Sequence, residues 1–227
     1  SGVVVADKVY DGSTTATITT GGNLSGVLAV DSGNVVLSTG SAAFGSSNVA
    51  YLAGSVTSQS VTLSGYGLTG TAAGNYSVTQ PSGVVATITP KALTISGITA
   101  TTSKQYDQTN SAVVSGTPSL IGSASSSTDG KYYGSDVGIT GTVTASYNSV
   151  NVATANQIAF DISGLSLTGS AAKVGDYTLT AISSVAGIIT PKSLSVSGLT
   201  VASTKVYDNT TAAAITGTAA ISGVISG

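Results

Sequence analysis

Lys8-Val9-Tyr10-Asp11-Gly12-Ser13-Thr14-Thr15-Ala16 is written into this chain three times. It returns as Lys104-Gln105-Tyr106-Asp107-Gln108-Thr109-Asn110-Ser111-Ala112, 96 residues later. After a further 101 residues it returns as Lys205-Val206-Tyr207-Asp208-Asn209-Thr210-Thr211-Ala212-Ala213. Two more blocks recur between these landmarks, in the same order. Leu68-Thr69-Gly70-Thr71-Ala72-Ala73-Gly74-Asn75-Tyr76-Ser77-Val78 matches Leu167-Thr168-Gly169-Ser170-Ala171-Ala172 and then Gly175-Asp176-Tyr177-Thr178-Leu179, with Lys173 and Val174 inserted. Ile88-Thr89-Pro90-Lys91-Ala92-Leu93-Thr94-Ile95-Ser96-Gly97 matches Ile189-Thr190-Pro191-Lys192-Ser193-Leu194-Ser195-Val196-Ser197-Gly198. Three ordered landmarks with small insertions define an internal repeat. Its period is domain-sized, well beyond the roughly 20–50 residues of a solenoid unit. Each repeat is long enough to own a core, so tandem domains are expected.

Working outward from the repeated blocks, the dominant pattern is alternation. Val61/Leu63, Ile158/Phe160/Ile162, Leu93/Ile95 and Leu194/Val196 each leave one residue between apolar positions, filled by Thr, Ser, Ala or Asp. A period of two places the apolar side chains on one face of a strand and suits an antiparallel sheet with one wet face. Gly21-Gly22-Asn23, Gly40, Gly45, Gly65, Gly70, Asp129-Gly130 and Gly164 punctuate the runs. Glu, Arg and Met are absent, which removes three good helix formers, while Thr, Val, Ile and Ser abound. The expectation is all-β: tandem antiparallel β-sandwich, Ig-like repeats, with a β-grasp-like sheet holding one short helix as the alternative. Leu24–Val30, Ala72-Ala73 and Ala171-Ala172 are the places for a short helix.

Pro90-Lys91 and Pro191-Lys192 mark the joints, because Pro donates no ladder hydrogen bond and suits a seam between strands. The expected units are therefore 1–90, lacking its opening strand, 91–190, and a partial third repeat 191–227. Little linker separates them, so a stiff connection is expected. The third piece is too short for a core of its own. It is expected either to pack on the second unit or to lend a strand to a neighbouring chain.

Composition excludes most chemistry. Only 7% of the 227 residues are charged, nine Asp and seven Lys, for a net charge of −2. His, Cys, Met and Trp are absent. No Ser-His-Asp or Cys-His nucleophile can be assembled, nor a zinc or haem site of the common kinds. Without Arg and with a slight negative charge there is no footprint for nucleic acid. Mean hydropathy is positive. Runs such as Val3-Val4-Val5-Ala6 still fall far short of the ~20 residues of a spanning helix, so no membrane insertion is expected. The chain opens on Ser1 without Met and with no signal peptide, as a piece of a longer protein would. Thirty-seven Ser and 34 Thr supply hydroxyls for the wet faces of strands. An O-glycosylated stalk is a second use for them. Ice binding would need a regular Thr ladder, which the sequence lacks.

Tyr10-Asp11, Tyr106-Asp107 and Tyr207-Asp208 admit two readings. A ligand or metal contact presented once per repeat is one. The plainer one has Tyr packing its ring on the core while Asp closes a turn through its side chain. The next residue is Gly12, Gln108 or Asn209, and Gln resists positive φ, so the turn need not be left-handed there. Tyr76 and Tyr177 follow Asn75 and Asp176 in the same manner, as a turn leading into a strand. Asn and Asp at one position argue against a required charge. Structural calcium is the one cofactor considered, yet Asp7, Asp11, Asp129 and Asp136 lack the D-x-D-x-D-G spacing of a calcium loop. Lys8 or Lys104 with Asn75 or Asp176 offers the ingredients of an isopeptide crosslink. Tyr51, Tyr132 and Tyr133 lie outside the repeated blocks and are the candidate ligand contacts.

The Lys-Val-Tyr-Asp-Gly segment, with Leu-Thr-Gly…Gly-Asn-Tyr and Ile-Thr-Pro-Lys-Ala-Leu-Thr-Ile, resembles the YDG-type repeat of very large bacterial surface proteins similar to filamentous haemagglutinins. The related MBG-type repeats share the outline. The resemblance covers nearly the whole chain, with departures at Gln108, Asn110, Asn209 and between Ser119 and Lys131. It implies a non-catalytic module of a secreted adhesin at the bacterial cell surface, exported across the outer membrane, with roles in cell adhesion, biofilm and virulence. The partners it implies are neighbouring repeats of the same chain, with a host-surface or self-association partner as the further option. A stalk or fibre body is the leading expectation; direct binding of a host glycan or protein is the alternative. The absent thiol, thioether and indole groups suit a chain exposed to oxidants.

Overall fold

A computed structural model describes residues 2–134 and 137–225. It is almost entirely β-structure, as the alternation predicts. Among the described residues the α-helix is a single short piece, Ala171–Gly175, opened by Ser170, whose hydroxyl accepts the Lys173 N–H. The matching Ala72-Ala73 stretch gives a 3-10 turn, Ala73–Asn75. Within Leu24–Val30 no helix forms except at its end, where a 3-10 turn spans Ala29–Asp31.

Each of the first two repeats builds the same four-stranded antiparallel sheet. In the first, Val85–Ala86, Gln59–Ser64, Ser41–Phe44 and Thr15–Ala16 lie side by side in that order. In the second, the order is Val185–Ala186, Gln157–Asp161, Thr144–Tyr147 and Ser111–Ala112. Alternate residues point inward: Val61 and Leu63 in one sheet, Ile158 in the other. Not every contact is antiparallel. The start and end of each repeat come together as a parallel pair, Lys8–Val9 with Ile88–Thr89 and Ser103–Gln105 with Ile188–Thr190. Parallel pairing needs a long crossover, and the whole intervening repeat supplies it.

The chain condenses into two compact units. One takes Ser1–Gly97, Thr117–Thr142 and Gly164–Ala181; the other takes Ile98–Gly116, Val143–Ser163 and Ile182–Gly227. The first unit thus contains the first repeat together with parts of the second. Its core holds Tyr10, Phe44, Val61, Leu63 and Ile88 from the first repeat, and Leu93, Val137 and Tyr177 from the second. The strand after Pro90, Lys91–Leu93, runs parallel to Tyr177–Leu179 within this unit. The second unit has a smaller core of Ala145, Tyr147, Ala155, Ile158 and Ile189. The third repeat groups with it and forms an antiparallel hairpin, Ser195–Val201 with Ile215–Ser222, whose residues are all exposed. Gly198 sits at the bulge of this hairpin with φ of +81°, and a Cβ there would strike the Thr218 carbonyl. Gly97 occupies the matching place in the second repeat, at φ +80° against Thr117.

Candidate functional site

The three Tyr-Asp segments fold into one local device. At the first, Asp11 Oδ1 accepts hydrogen bonds from the Ser13 amide and hydroxyl, each at 2.9 Å, and from Lys8 Nζ at 2.7 Å. Asp107 accepts from the Thr109 amide and hydroxyl at 2.9 Å and from Lys104 at 2.8 Å. Asp208 repeats this with Thr210 at 3.0 and 2.9 Å and Lys205 at 2.8 Å. Lys8 also donates to the Ser13 and Thr15 carbonyls, and Lys205 to that of Ala212, so each ammonium staples the turn it precedes. The Asp side chain acts as a surrogate backbone carbonyl, which is why Asp, followed two residues later by Ser or Thr, recurs.

The residue between is left-handed in all three copies, with φ of 77° at Gly12, 68° at Gln108 and 58° at Asn209. This corrects the expectation from Gln108 that the turn need not be left-handed. The paired bonds from residue Asp107 to Thr109 require the chain to reverse at 108, and they offset the roughly 1–2 kcal/mol that an L-residue loses there. The same bonds act on the acids. Lys104, then Thr109, holds the Asp107 carboxyl down at about 2. Burial alone would raise Asp11, but Lys8 and Ser13 together bring it below the ordinary value. Lys205 and Thr210 lower Asp208.

The tyrosines of these turns have three different fates. Tyr10 is buried, Tyr106 is half-buried, and Tyr207 is exposed. Around Tyr10 a polar-aromatic cluster forms within the first unit. Tyr177 meets its ring edge-on at 5.3 Å between centroids and Tyr133 at 6.0 Å. Tyr177 donates its hydroxyl to the Tyr133 carbonyl at 3.3 Å and accepts the Tyr133 amide at 2.8 Å. Two charged side chains are fully buried here, Lys91 and Asp176. Lys91 Nζ donates to Asp129 at 2.7 Å and to the Ser126 carbonyl, and lies 4.6 Å from the Tyr133 ring centroid. That ion pair, with the Ser125 amide, holds Asp129 well below the usual carboxylate range. Asp176 Oδ1 accepts the Val49 amide at 2.8 Å, and the carboxylate faces the Tyr10 hydroxyl, although no donor reaches Oδ2 with full hydrogen-bond geometry. Burial accordingly pushes the Asp176 carboxyl up. Burial, with the Asp176 charge beside it, pushes the Tyr10 hydroxyl up to about 12, and burial does the same at Tyr177.

Tyr76 plays the part of Tyr177 in the first repeat. Its hydroxyl donates to Asp31 at 2.8 Å and accepts the Leu28 amide at 3.2 Å. Tyr132 and Tyr133 are half-buried against the core, whereas Tyr51 stays 46% exposed on the hairpin Ala50–Leu52/Ser55–Thr57 and donates to the Gly175 carbonyl at 2.7 Å. Of the isopeptide ingredients, Lys8 and Lys104 are held by their own turns and Asp176 by Val49. Asp7 accepts the Thr87 amide at 2.6 Å. Asp136 lies outside the described residues. Among the described residues no group of three or more His, Cys, Asp or Glu gathers in one place. Asp129, weighed from the sequence only as a calcium ligand, is the ion-pair partner of Lys91, and Lys173 Nζ donates to the Tyr10 hydroxyl at 3.4 Å; the sequence reading gives neither lysine a place in a site. The signal for Lys91 was its place in the repeated Pro-Lys block, where a lysine sits among alternating apolar positions.

No curated protein and no solved structure matches the chain. A family model, that of the YDG domain, matches residues 1–83 and again 89–184. The two matches follow the first two copies of the repeat, and together with the thrice-formed Lys-Tyr-Asp turn they place this chain in the YDG domain family.

Proposed function

We propose that the chain is a non-catalytic structural repeat of an extracellular bacterial adhesin, part of the stalk or fibre body that carries an adhesive tip away from the cell surface. The observation behind this reading is the shared core. Tyr10 of the first repeat is enclosed by Tyr133, Asp176 and Tyr177 of the second, inside one compact unit. A stalk has to pass load from repeat to repeat, and a core drawn from both does so without relying on a linker. The ionisable side chains serve the same framework: Lys8, Lys91, Lys104 and Lys205 are each engaged with an Asp. Displayed between a surface anchor and a module of known ligand, the chain should lengthen the module's reach and leave its ligand preference unchanged. Attachment by the chain with the module deleted would overturn the spacer role.

The alternative, direct contact with a host glycan or protein, draws on one place. Tyr51, Leu52 and Val56 stand exposed on a single hairpin. Grouped exposed apolar side chains mark contact surfaces more often than scattered ones do. Binding on a glycan or host-protein array that disappears in Tyr51→Ala would favour this reading over the stalk.

A further inference from the structure

Two of the repeated blocks meet in space. The strand Lys8–Val9 opens the Lys-Val-Tyr-Asp block and lies parallel to Ile88–Thr89 of the Ile-Thr-Pro-Lys block, within the first unit. In the second unit Ser103–Gln105 lies parallel to Ile188–Thr190 in the same way. Matching bonds tie both pairs. Lys8 and Tyr10 donate their amides to the Thr87 and Thr89 carbonyls at 2.9 Å; Ile188 donates to Thr102 and Tyr106 to Thr190, again at 2.9 Å. A side chain adds the same bond to each pair. The Thr89 hydroxyl donates to the Lys8 carbonyl at 3.3 Å, and the Thr190 hydroxyl to the Lys104 carbonyl at 3.2 Å. Ile88 and Ile189, at 0% and 2% exposure, pin the two later strands to their cores.

The place of these pairs along the chain gives them a mechanical meaning. Tension arriving from the N-terminal side reaches Lys8–Val9 and leaves toward the C-terminal side from Ile88–Thr89. The strands are parallel, so the pull acts in opposite directions along them and slides one past the other. Ladder bonds run across the strands. Sliding therefore loads them all at once, whereas peeling the strands apart from one end would load them one after another. About 80 residues of each repeat lie between the paired strands and hang outside this path. From Pro90 to Thr102 the covalent chain carries the pull on to the second pair. Pro90 and Pro191 follow directly on the later strands, where a residue without an N–H ends the ladder. Lys8 and Lys104 fix the earlier strands by gripping the Asp-closed turns that follow.

We propose that each parallel pair is a force clamp, a set of hydrogen bonds sheared together when the chain is stretched, which keeps tension off the rest of its repeat. The two blocks that recur together along the sequence are then the two halves of one clamp. Forced unfolding is governed by the rate of opening rather than by equilibrium stability, so a pair of two or three residues in the path of the load sets the resistance of the whole repeat. The use of such a clamp in the cell rests on the stalk reading; the mechanical property does not.

Single-molecule stretching of the full chain tests it. Pulled from its two ends, the chain should hold until a clamp fails and then release about 80 residues per repeat, up to about 280 Å of extended backbone, in one step or in closely following sub-steps. The direction of pull is the decisive variable, and a chain without cysteine lets thiol handles be placed at chosen positions. Val4→Cys with Ala92→Cys shears the first pair, and Val4→Cys with Val85→Cys peels that same pair from one end; all three positions are exposed. With the bonds loaded together in one case and singly in the other, shearing should take at least about twice the force of peeling. Ile188→Pro, at a residue 55% exposed, removes the amide bonded to Thr102 and should lower the force for the second repeat alone. Equal forces in the two directions would overturn the proposal. So would extension without a force maximum, or unchanged forces in Ile188→Pro. The spacer role is decided separately, by the display experiment above.

Discussion

At Gln108 an ordinary side chain holds a left-handed backbone because Asp107 and Thr109 close the turn around it. Replacing it by Gly removes the steric cost and adds back some unfolded-chain entropy. Gln108→Gly should therefore stabilise the second unit by about 0.5–1 kcal/mol, read from denaturant midpoints at constant slope. Asp107 sets the acid limit of the same turn. Its folded pKa, about 2, lies below the unfolded value, so its contribution is present above pH ~4 and is lost as the pH falls toward 2. Lys104→Met should flatten that part of the acid-unfolding curve, and an unchanged curve would count against the staple. Asp176 behaves in the opposite sense. It is buried with one oxygen short of full hydrogen bonding beside the Tyr10 hydroxyl, and the first repeat carries Asn75 at its position. Asp176→Asn keeps an oxygen for the Val49 amide and should be neutral or stabilising at pH 7. Asp176→Ala orphans that amide and should cost about 1–3 kcal/mol.

Strands read clearly at the level of the element, but their burial did not. Leu93/Ile95 and Leu194/Val196 have the same alternation, and both were expected to be half-buried strands. Leu93 and Ile95 are buried, whereas Leu194 and Val196 are 55% and 65% exposed. Period two says which side chains share a face; it does not say whether anything covers that face. Leu93→Ala should accordingly cost about 2–5 kcal/mol, while Leu194→Ala should stay within about 0.5 kcal/mol. Chemical unfolding of the two variants at low protein concentration separates these values. Equal losses would mean that the two leucines are packed alike.

On the scale of the whole molecule, the first unit concentrates the buried phenols. Tyr10 and Tyr177 are both pushed up to about 12. In the unfolded chain a tyrosine ionises near pH 10. Their neutral forms thus favour the fold fully below pH ~10, and this contribution disappears as the pH rises through about 12. Thermal melts between these limits, followed by phenolate absorbance, should show the melting temperature falling in step with ionisation. Tyrosines that titrate near pH 10 before any unfolding would contradict the buried cluster.

The Asp-closed turns and the antiparallel sheets are legible in the sequence alone, whereas the left-handed backbone at Gln108 and the parallel pairs are not. The third Lys-Tyr-Asp turn makes its Asp208 bonds although Tyr207 is 86% exposed and no core surrounds it, so short-range hydrogen bonds suffice to form it. The repeat, the all-β class and the strand faces were likewise legible, because each rests on spacing within a few residues. Which repeat buries which tyrosine was decided only in three dimensions. Tyr10 meets Tyr177, and Val49 meets Asp176, across stretches longer than a whole repeat. Contacts at such separation leave no periodicity to read; they follow from the parallel strand at Lys91–Leu93, which brings the second repeat back over the first. The same turn sequence therefore goes with a buried Tyr10, a half-buried Tyr106 and an exposed Tyr207, because hydrogen bonds within the turn fix the backbone while the cover over the ring comes from residues far along the chain.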